Sequence, residues 1–319
     1  MMRASLLGLV LLLLVAGCAA PQPTLSPHPP AASPSPQPTP VPLGPEVYYR
    51  AGLDRRAVGD MEDALLAFSQ AIQVDPTFVP ARLQRGAIYL AMGEAEAALA
   101  DAQMAVAADP ANGEAYALLG EVFRLGFGDY QRALDAYEQA VRLDPSLADP
   151  LFPARWQAAV AGGRVERMLA LARAYRRRYP DDPMAAYYRA RALLALGVPR
   201  SAISVLVAAL EEGGPAVLWL ALGDAYVADG AWPQALVCYE QAQKLIERGD
   251  RSLYLFSEDP VADLLGRLGI VYLYTGRCAE AQDLLEQAMS RGPDRPEYHT
   301  LIGQAMICQM PTPALTFSP

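Results

Sequence analysis

Glycine recurs at Gly59, Gly93, Gly128, Gly163, Gly197, Gly230 and Gly276, with successive gaps of 34, 35, 35, 34, 33 and 46 residues. A period of this length is the mark of one supersecondary unit used many times, each copy burying its apolar face only against its neighbours. Five residues after each glycine stands Ala64, Ala98, Ala133, Met168, Ala202, Ala235 or Ala281, and nine after it Phe68, Ala102, Tyr137, Ala172, Leu206, Tyr239 or Leu285. Twelve after it comes Ala71, Ala105, Ala140, Tyr175, Ala209, Ala242 or Ala288. Offsets of four and three place these side chains on one face of a helix. The glycine reads as the left-handed residue that ends one helix and turns the chain into the next. Proline then closes most units, at Pro76, Pro110, Pro145, Pro180 and Pro293.

The helix before each glycine carries its own mark: Gly52, Gly86, Gly120, Ala190, Gly223 and Gly269, followed three residues on by Tyr89, Phe123, Leu193, Tyr226 and Tyr272 in five of the units. The unit from Ala216 to Gly249 shows the whole pattern, with Trp219, Leu222, Gly223, Tyr226, Gly230, Ala235, Tyr239 and Ala242. This pattern resembles the tetratricopeptide repeat family and covers residues 46–309. The resemblance implies an all-α, right-handed α-solenoid of about seven helical hairpins. Pro296 to Gln309 reads as one more first helix without a partner, a cap over the last repeat. Composition agrees, since the 53% of hydrophobic residues are largely alanine and leucine and the β-branched runs of a sheet are missing.

Two departures stand out. The fourth unit has Trp156 in place of the first-helix glycine and Pro153 within that helix, which predicts a short or kinked first helix. About twelve extra residues, Arg248 to Asp259, separate the sixth and seventh units and include Tyr254, Leu255 and Phe256. They read either as a satellite packed on the solenoid or as a protruding contact, with packing favoured because apolar triplets left in water are liabilities.

Ahead of the repeats, Arg3 precedes an apolar or small stretch from Leu6 to Gly17, too short for a spanning helix and suited to an export signal over residues 1–17. Val15, Ala16, Gly17 and Cys18 resemble the bacterial lipobox, which implies that Cys18 becomes the lipid-bearing first residue of a protein on the extracytoplasmic side of a cell membrane. More than one acyl chain suffices for stable anchoring. Residues 18–45 follow as a tether, with eleven prolines among the twenty-five residues from Pro21 to Pro45 and no formal charge. Such a segment favours extended polyproline II and reaches roughly 80 Å. Residues 310–319 read as a disordered tail.

A formal net charge of −9 repels phosphate backbones, so nucleic acid is excluded as a partner. Four cysteines and two histidines, one of them the isolated His28, offer no metal site, and no cofactor is implied. No nucleophile with a base, no acid pair in a cleft and no phosphate loop is legible, so the chain reads as no enzyme. By resemblance, the inner row of first helices is where such solenoids hold peptides or partner helices. Tyr49, Arg50, Arg56, Leu83, Tyr187, Tyr188 and Arg191 are the candidate contacts there, since aromatics and arginines carry most interface energy. The tyrosines have an alternative role packing between hairpins. Arg173, Arg176, Arg177 and Arg178 form a basic cluster that either complements a helix dipole or meets anionic lipid or an acidic partner. Cys278 and Cys308 are placed to bond, while Cys238 reads as a buried thiol. The expected function is a membrane-anchored, non-catalytic protein scaffold. The alternative is an accessory lipoprotein that carries a glycan or small peptide or activates a cell-wall enzyme.

Overall fold

The computed structural model describes residues 43–291 and 295–309. The export signal, Cys18, nearly all of the tether and the tail lie outside the described residues. Fifteen α-helices and three short helical turns account for the ordered backbone, and no strand occurs among the described residues.

The helices pair in sequence. α1 (Pro45–Ala57) turns into α2 (Met61–Val74), α3 (Val79–Ala91) into α4 (Ala95–Ala108), and α5 (Gly113–Glu121) into α6 (Tyr130–Leu143). Then α7 (Phe152–Ala161) meets α8 (Val165–Arg178), α9 (Met184–Ala195) meets α10 (Pro199–Ala209), α11 (Ala216–Ala228) meets α12 (Trp232–Glu247), and α13 (Pro260–Tyr274) meets α14 (Cys278–Arg291). The unpaired α15 (Pro296–Cys308) packs on α13 and α14. Each hairpin also packs on the next, which makes the chain an all-helical solenoid.

All seven turn glycines have positive φ, from +62° at Gly163 to +88° at Gly59. The residue after each glycine donates its amide back to the last turn of the first helix, as Glu94 does to the Tyr89 carbonyl at 2.8 Å and Ala231 to Tyr226 at 2.8 Å. These bonds satisfy carbonyls that the helix end would otherwise leave orphaned. In the third unit the bond runs from Asp129 to Phe123, one residue further, because Val122–Gly126 forms a π-helical turn that absorbs the extra residue of that repeat. Unit ends repeat a second device. Asp75, Asp109 and Asp144 each accept the amide hydrogen of the residue two positions on, across the intervening proline.

Within a hairpin, the large residue of the second helix lies on the small residue of the first. A Cβ on Gly52 would meet the Phe68 ring at 2.5 Å, and one on Gly120 the Tyr137 ring at 2.6 Å, while Gly223 faces Tyr239 in the same way. Phe68, Tyr137, Tyr239, Leu206 and Leu285 are accordingly buried. The second unit differs. Ala102 leaves the space empty of a ring, and Leu118 of the next unit reaches Gly86 instead. Beside it Asp101, 2% exposed, takes a two-pronged pair from Arg85 at 2.7 and 2.8 Å and a third contact from Arg82 at 3.3 Å. A buried carboxylate held by two guanidinium groups is tolerated only with this degree of pairing.

The fourth unit is short and unkinked. Residues Pro145–Ala148 form a 3-10 turn, and Pro153 sits in the first turn of α7, where its missing N–H is not required. Trp156 fills the place of the glycine, stacks on Phe152 and meets Tyr188 edge-on at 4.7 Å. Asp60, at the start of α2, makes no side-chain cap and pairs with Arg55 across the turn at 3.5 Å. Cys278 and Cys308 are joined by a disulfide with their Cα atoms 6.0 Å apart, tying the end of α15 to the start of α14. Cys238 is free and buried, and burial pushes its thiol up to about 11.

Two glycines separate two kinds of constraint. Gly223→Ala drives a methyl into the Tyr239 ring and is expected to cost about 1–3 kcal/mol by overpacking. Gly230→Ala has open space around the new methyl but a strained backbone at φ +77°, with an expected loss of about 1–2 kcal/mol. Gly230→Asn, which tolerates the left-handed region, should recover much of that loss, while Gly223→Asn should not. Urea titrations of the four variants check this. Reducing the disulfide, or Cys308→Ser, should remove roughly 3 kcal/mol from the attachment of α15, read as faster amide exchange across Pro296–Cys308 with α1 to α8 unchanged.

Candidate functional site

The first helices form a continuous row, and arginines lace consecutive members of it together. Arg56 of α1 donates to the Gln84 side-chain oxygen of α3, and Arg124 in the π-turn donates to Gln157 of α7 at 3.1 Å. Arg191 of α9 reaches Asp224 of α11 at 3.3 Å, Arg267 of α13 reaches the same carboxylate at 2.9 Å, and Arg295 pairs with Asp263 of α13. Asp224 also accepts the Tyr239 hydroxyl at 2.8 Å. Burial works against the Arg267 charge, yet the Asp224 carboxylate holds its pKa above the ordinary value, and the Tyr239 hydroxyl is pushed up by burial and by the same carboxylate. The polar groups over α11 and α13 are therefore already paired with one another.

The insertion between α12 and α13 lies against the same face. Asp250 accepts the Ala216 amide at 3.0 Å and Ser252 the Val217 amide at 3.1 Å, so two residues of the insertion cap the start of α11 from about 35 positions further along the chain. The residue preceding α11 is Pro215, which makes no side-chain cap of its own. A 3-10 turn, Ser252–Leu255, drives Leu253 into the core at 3% exposure and lays Phe256 on Tyr187 with ring centroids 4.6 Å apart. Ser257 donates to Asp263 at 2.5 Å. The insertion packs through Leu253 and through the contact of Phe256 with Tyr187, while all three members of the apolar triplet, Tyr254, Leu255 and Phe256, stay exposed, at 49, 69 and 41%.

Between this insertion and α7 lies an open cleft of about 720 Å³. Its walls are Trp156, Gln157, Val160 and Ala161 of α7, Tyr187 and Arg191 of α9, and residues 254–258. Val160 is 42% exposed and Leu255 more so, which gives the cleft an apolar wall on each side. A neighbouring cavity of about 150 Å³, around Asp224 and Arg267 beneath Phe256, is the remnant of the same face after the insertion has covered it.

The candidate contacts fall into three groups. Tyr187 and Arg191 line the cleft, and burial raises the Tyr187 hydroxyl pKa. Arg50 and Arg56 are exposed on α1 at the far end of the row. The other three belong to packing. Tyr49 is wedged between Phe68 and Phe78, Leu83 packs against Val79, Ala105 and Ala115, and Tyr188 sits in a ring cluster with Phe152, Trp156 and Tyr175. For Tyr49 and Tyr188 this is the packing role that the sequence left open for tyrosine. Val160 and Gln157 were not singled out from the sequence, and Leu255 only as one of the triplet. The apolar triplet in the insertion was the only signal, and it did not say which member would face outward. Among the described residues no group of three or more His, Cys, Asp or Glu side chains converges as a metal site would require, and no helix is long and apolar enough to cross a membrane.

Seven antiparallel helical pairs in register, with a lone helix over the last, define an α-solenoid. A sequence model of the tetratricopeptide repeat matches residues 49–112, 83–148 and 267–306. The small glutamine-rich tetratricopeptide repeat-containing protein 2 of Mycosarcoma maydis is 34% identical over 87 residues, which is 27% of this chain and only 24% of that protein's length. A tetratricopeptide repeat protein from Parabacteroides merdae superposes with a TM-score of 0.59 at 16% identity, over 82% of this chain and 98% of its own. The Cut9-Hcn1 hetero-tetramer of the APC/C gives 0.51 at 17% identity, over 82% of this chain and 46% of that one. These structural likenesses carry the fold. The chain carries tetratricopeptide repeats over residues 49–148 and 267–306, and stacked repeats of this kind present extended surfaces for protein interaction.

The anchoring of the insertion can be tested through its cap. Burial alone would raise the Asp250 carboxyl, but hydrogen bonds from Ser252 and the Ala216 amide hold it below the ordinary value. A depressed folded-state pKa contributes stability that is complete at neutral pH and fades as pH falls through it. Asp250→Ala should cost about 1 kcal/mol and speed proteolysis between residues 253 and 258 at pH 7, and the difference from the parent should shrink as the pH falls below the ordinary carboxylate range.

Proposed function

We propose that this protein is a non-catalytic scaffold that holds a protein or peptide in the cleft between α7, α9 and the insertion, and that acylated Cys18 anchors it on the extracytoplasmic face of a membrane. The observation that carries the first part is the pair of exposed apolar walls at Val160 and Leu255 on the first-helix face, with Tyr187 and Arg191 between them. Exposed apolar side chains flanking a recess are what a guest helix or extended segment covers on binding. The paired state of Asp224, Arg267 and Asp263 argues against a charge clamp over α11 and α13 as the means of recognition. Anchoring rests on the sequence of residues 1–45: a short apolar leader, the small residues before Cys18, and a charge-free proline-rich spacer.

A photo-cross-linking residue at Leu255 should capture a partner in native membranes, and one at Val237, exposed on α12, should not. Val160→Asp with Leu255→Asp should weaken that partner's binding by tenfold or more, since each side chain buries about 1.5–3 kcal/mol of apolar surface. Competition by free saccharides would instead favour a carrier of small ligands. For the anchor, Cys18→Ser should abolish labelling by an alkyne fatty acid and move the protein from the membrane to the soluble fraction; labelling that persists would refute acylation at that residue.

A further inference from the structure

We propose that the protein has a second docking surface, a basic trough on the side of α9 opposite the cleft, which receives an acidic, partly apolar peptide segment of a partner protein. The trough has α9 as its floor and the second helices α8 and α10 as its walls. Two adjoining recesses, of about 540 and 330 Å³, share Arg176 of α8 and Arg189 of α9. On α9, Arg189 is two residues from Tyr187 and two from Arg191, which puts it about 200° around the helix from both, facing away from the cleft.

Among the described residues Arg173, Arg176 and Arg189 of this trough make no ion pair, although Asp181 and Asp182 stand at its rim, and the neighbouring gap shows what is missing. Between α6 and α8, Asp135 and Glu138 pair with Arg167. One repeat later, the register position of Glu138 is Arg173, five residues past the small-residue site at Met168, and that of Arg167 is Ser201, one residue before Ala202. The cross-gap ion pair is thus replaced by an arginine and a hydroxyl. α10, with the sequence PRSAISVLVAA, holds no acid. Arg173 turns back to its own Leu169 carbonyl at 3.2 Å, and among the described residues neither Arg176 nor Arg189 has a carboxylate within ion-pair distance. Asp182 nearby is committed to the Tyr175 hydroxyl and the Met184 amide, which leaves Asp181 as the one acid at the rim without such bonds. Eight arginines against three acids between residues 164 and 191 make this the basic stretch of a chain whose net charge is −9.

Chemistry narrows the occupant. Arg176 and Arg189 suit carboxylates, which guanidinium groups take through paired hydrogen bonds. The floor of the smaller recess is apolar, from Leu169, Ala172 and Leu193, and the α10 wall is cut back to Ser204, Ala208 and Ala209. A ligand that places short acidic and leucine-sized side chains in alternation fills both parts, whereas a planar headgroup surface leaves the apolar floor uncovered.

The test uses the full chain in detergent solution and a fluorescein-labelled peptide, DELLEDLLEE, read by anisotropy. The expected result is saturable binding that weakens with rising salt. It should fall at least tenfold in Arg176→Glu with Arg189→Glu, be partly kept in the two lysine variants, and be unchanged by Val160→Asp with Leu255→Asp, which separates it from the cleft. Circular dichroism establishes that the variants are folded. Equal binding of the charge-reversed variant, equal binding of the glutamine-substituted peptide, or charge-dependent binding to phosphatidylglycerol vesicles without binding of the peptide would overturn the proposal.

Discussion

Everything in this molecule depends on how closely two helices can approach within a hairpin. Where Gly52, Gly120 or Gly223 faces a ring, the ring lies directly on the backbone of the first helix, and the two axes come nearer than any pair of branched side chains permits. That contact fixes the angle of each hairpin, and the angle fixes which side of each first helix is left for a neighbour and which for solvent. The turn glycines do a different task. They close the hairpin through a left-handed residue and supply the amide bonds that finish the first helix, but no side chain touches them.

Much of this was legible because it is local. A glycine and a ring within one 34-residue unit, or a proline two residues past a helix end, leave a periodic trace that no other arrangement reproduces. The extra residue in the third repeat was visible as a gap of 35, although the π-turn that absorbs it was not. What escaped lay off the repeat positions. Asp101 looks in sequence like any polar residue of an exposed helix, and only the absence of a ring at Ala102 makes room for Arg82 and Arg85 to bury it. Leu253 lies just outside the apolar triplet that drew notice, yet it is the residue that pins the insertion. The start of α11 gave no warning that its caps would come from Asp250 and Ser252, because helix-start signals are sought within a few residues and these are a full repeat away.

The insertion also changes what the first-helix face can do. A regular stack would leave α9, α11 and α13 open, and their polar residues free for a guest. Here a segment of the same chain covers them, Asp224 becomes the meeting point of three neighbours, and the open recess is displaced toward α7. The fourth unit, with its short α7, borders that recess: Trp156, in place of a glycine, meets Tyr188 of α9, and Val160 one turn on stands at the lip.

The two ends of the stack are not equivalent. α15 closes one end and is bolted to α14 by a covalent bond, while at the other end, among the described residues, Leu43 before α1 and Val47 within it are exposed and no helix is laid over α1. Since each hairpin leans only on its neighbours, heat or tension entering through the segment before residue 43 would peel the pairs away singly from the amino end, and the bolted end would hold until last. Such a stack yields in steps, lengthening by one repeat at a time.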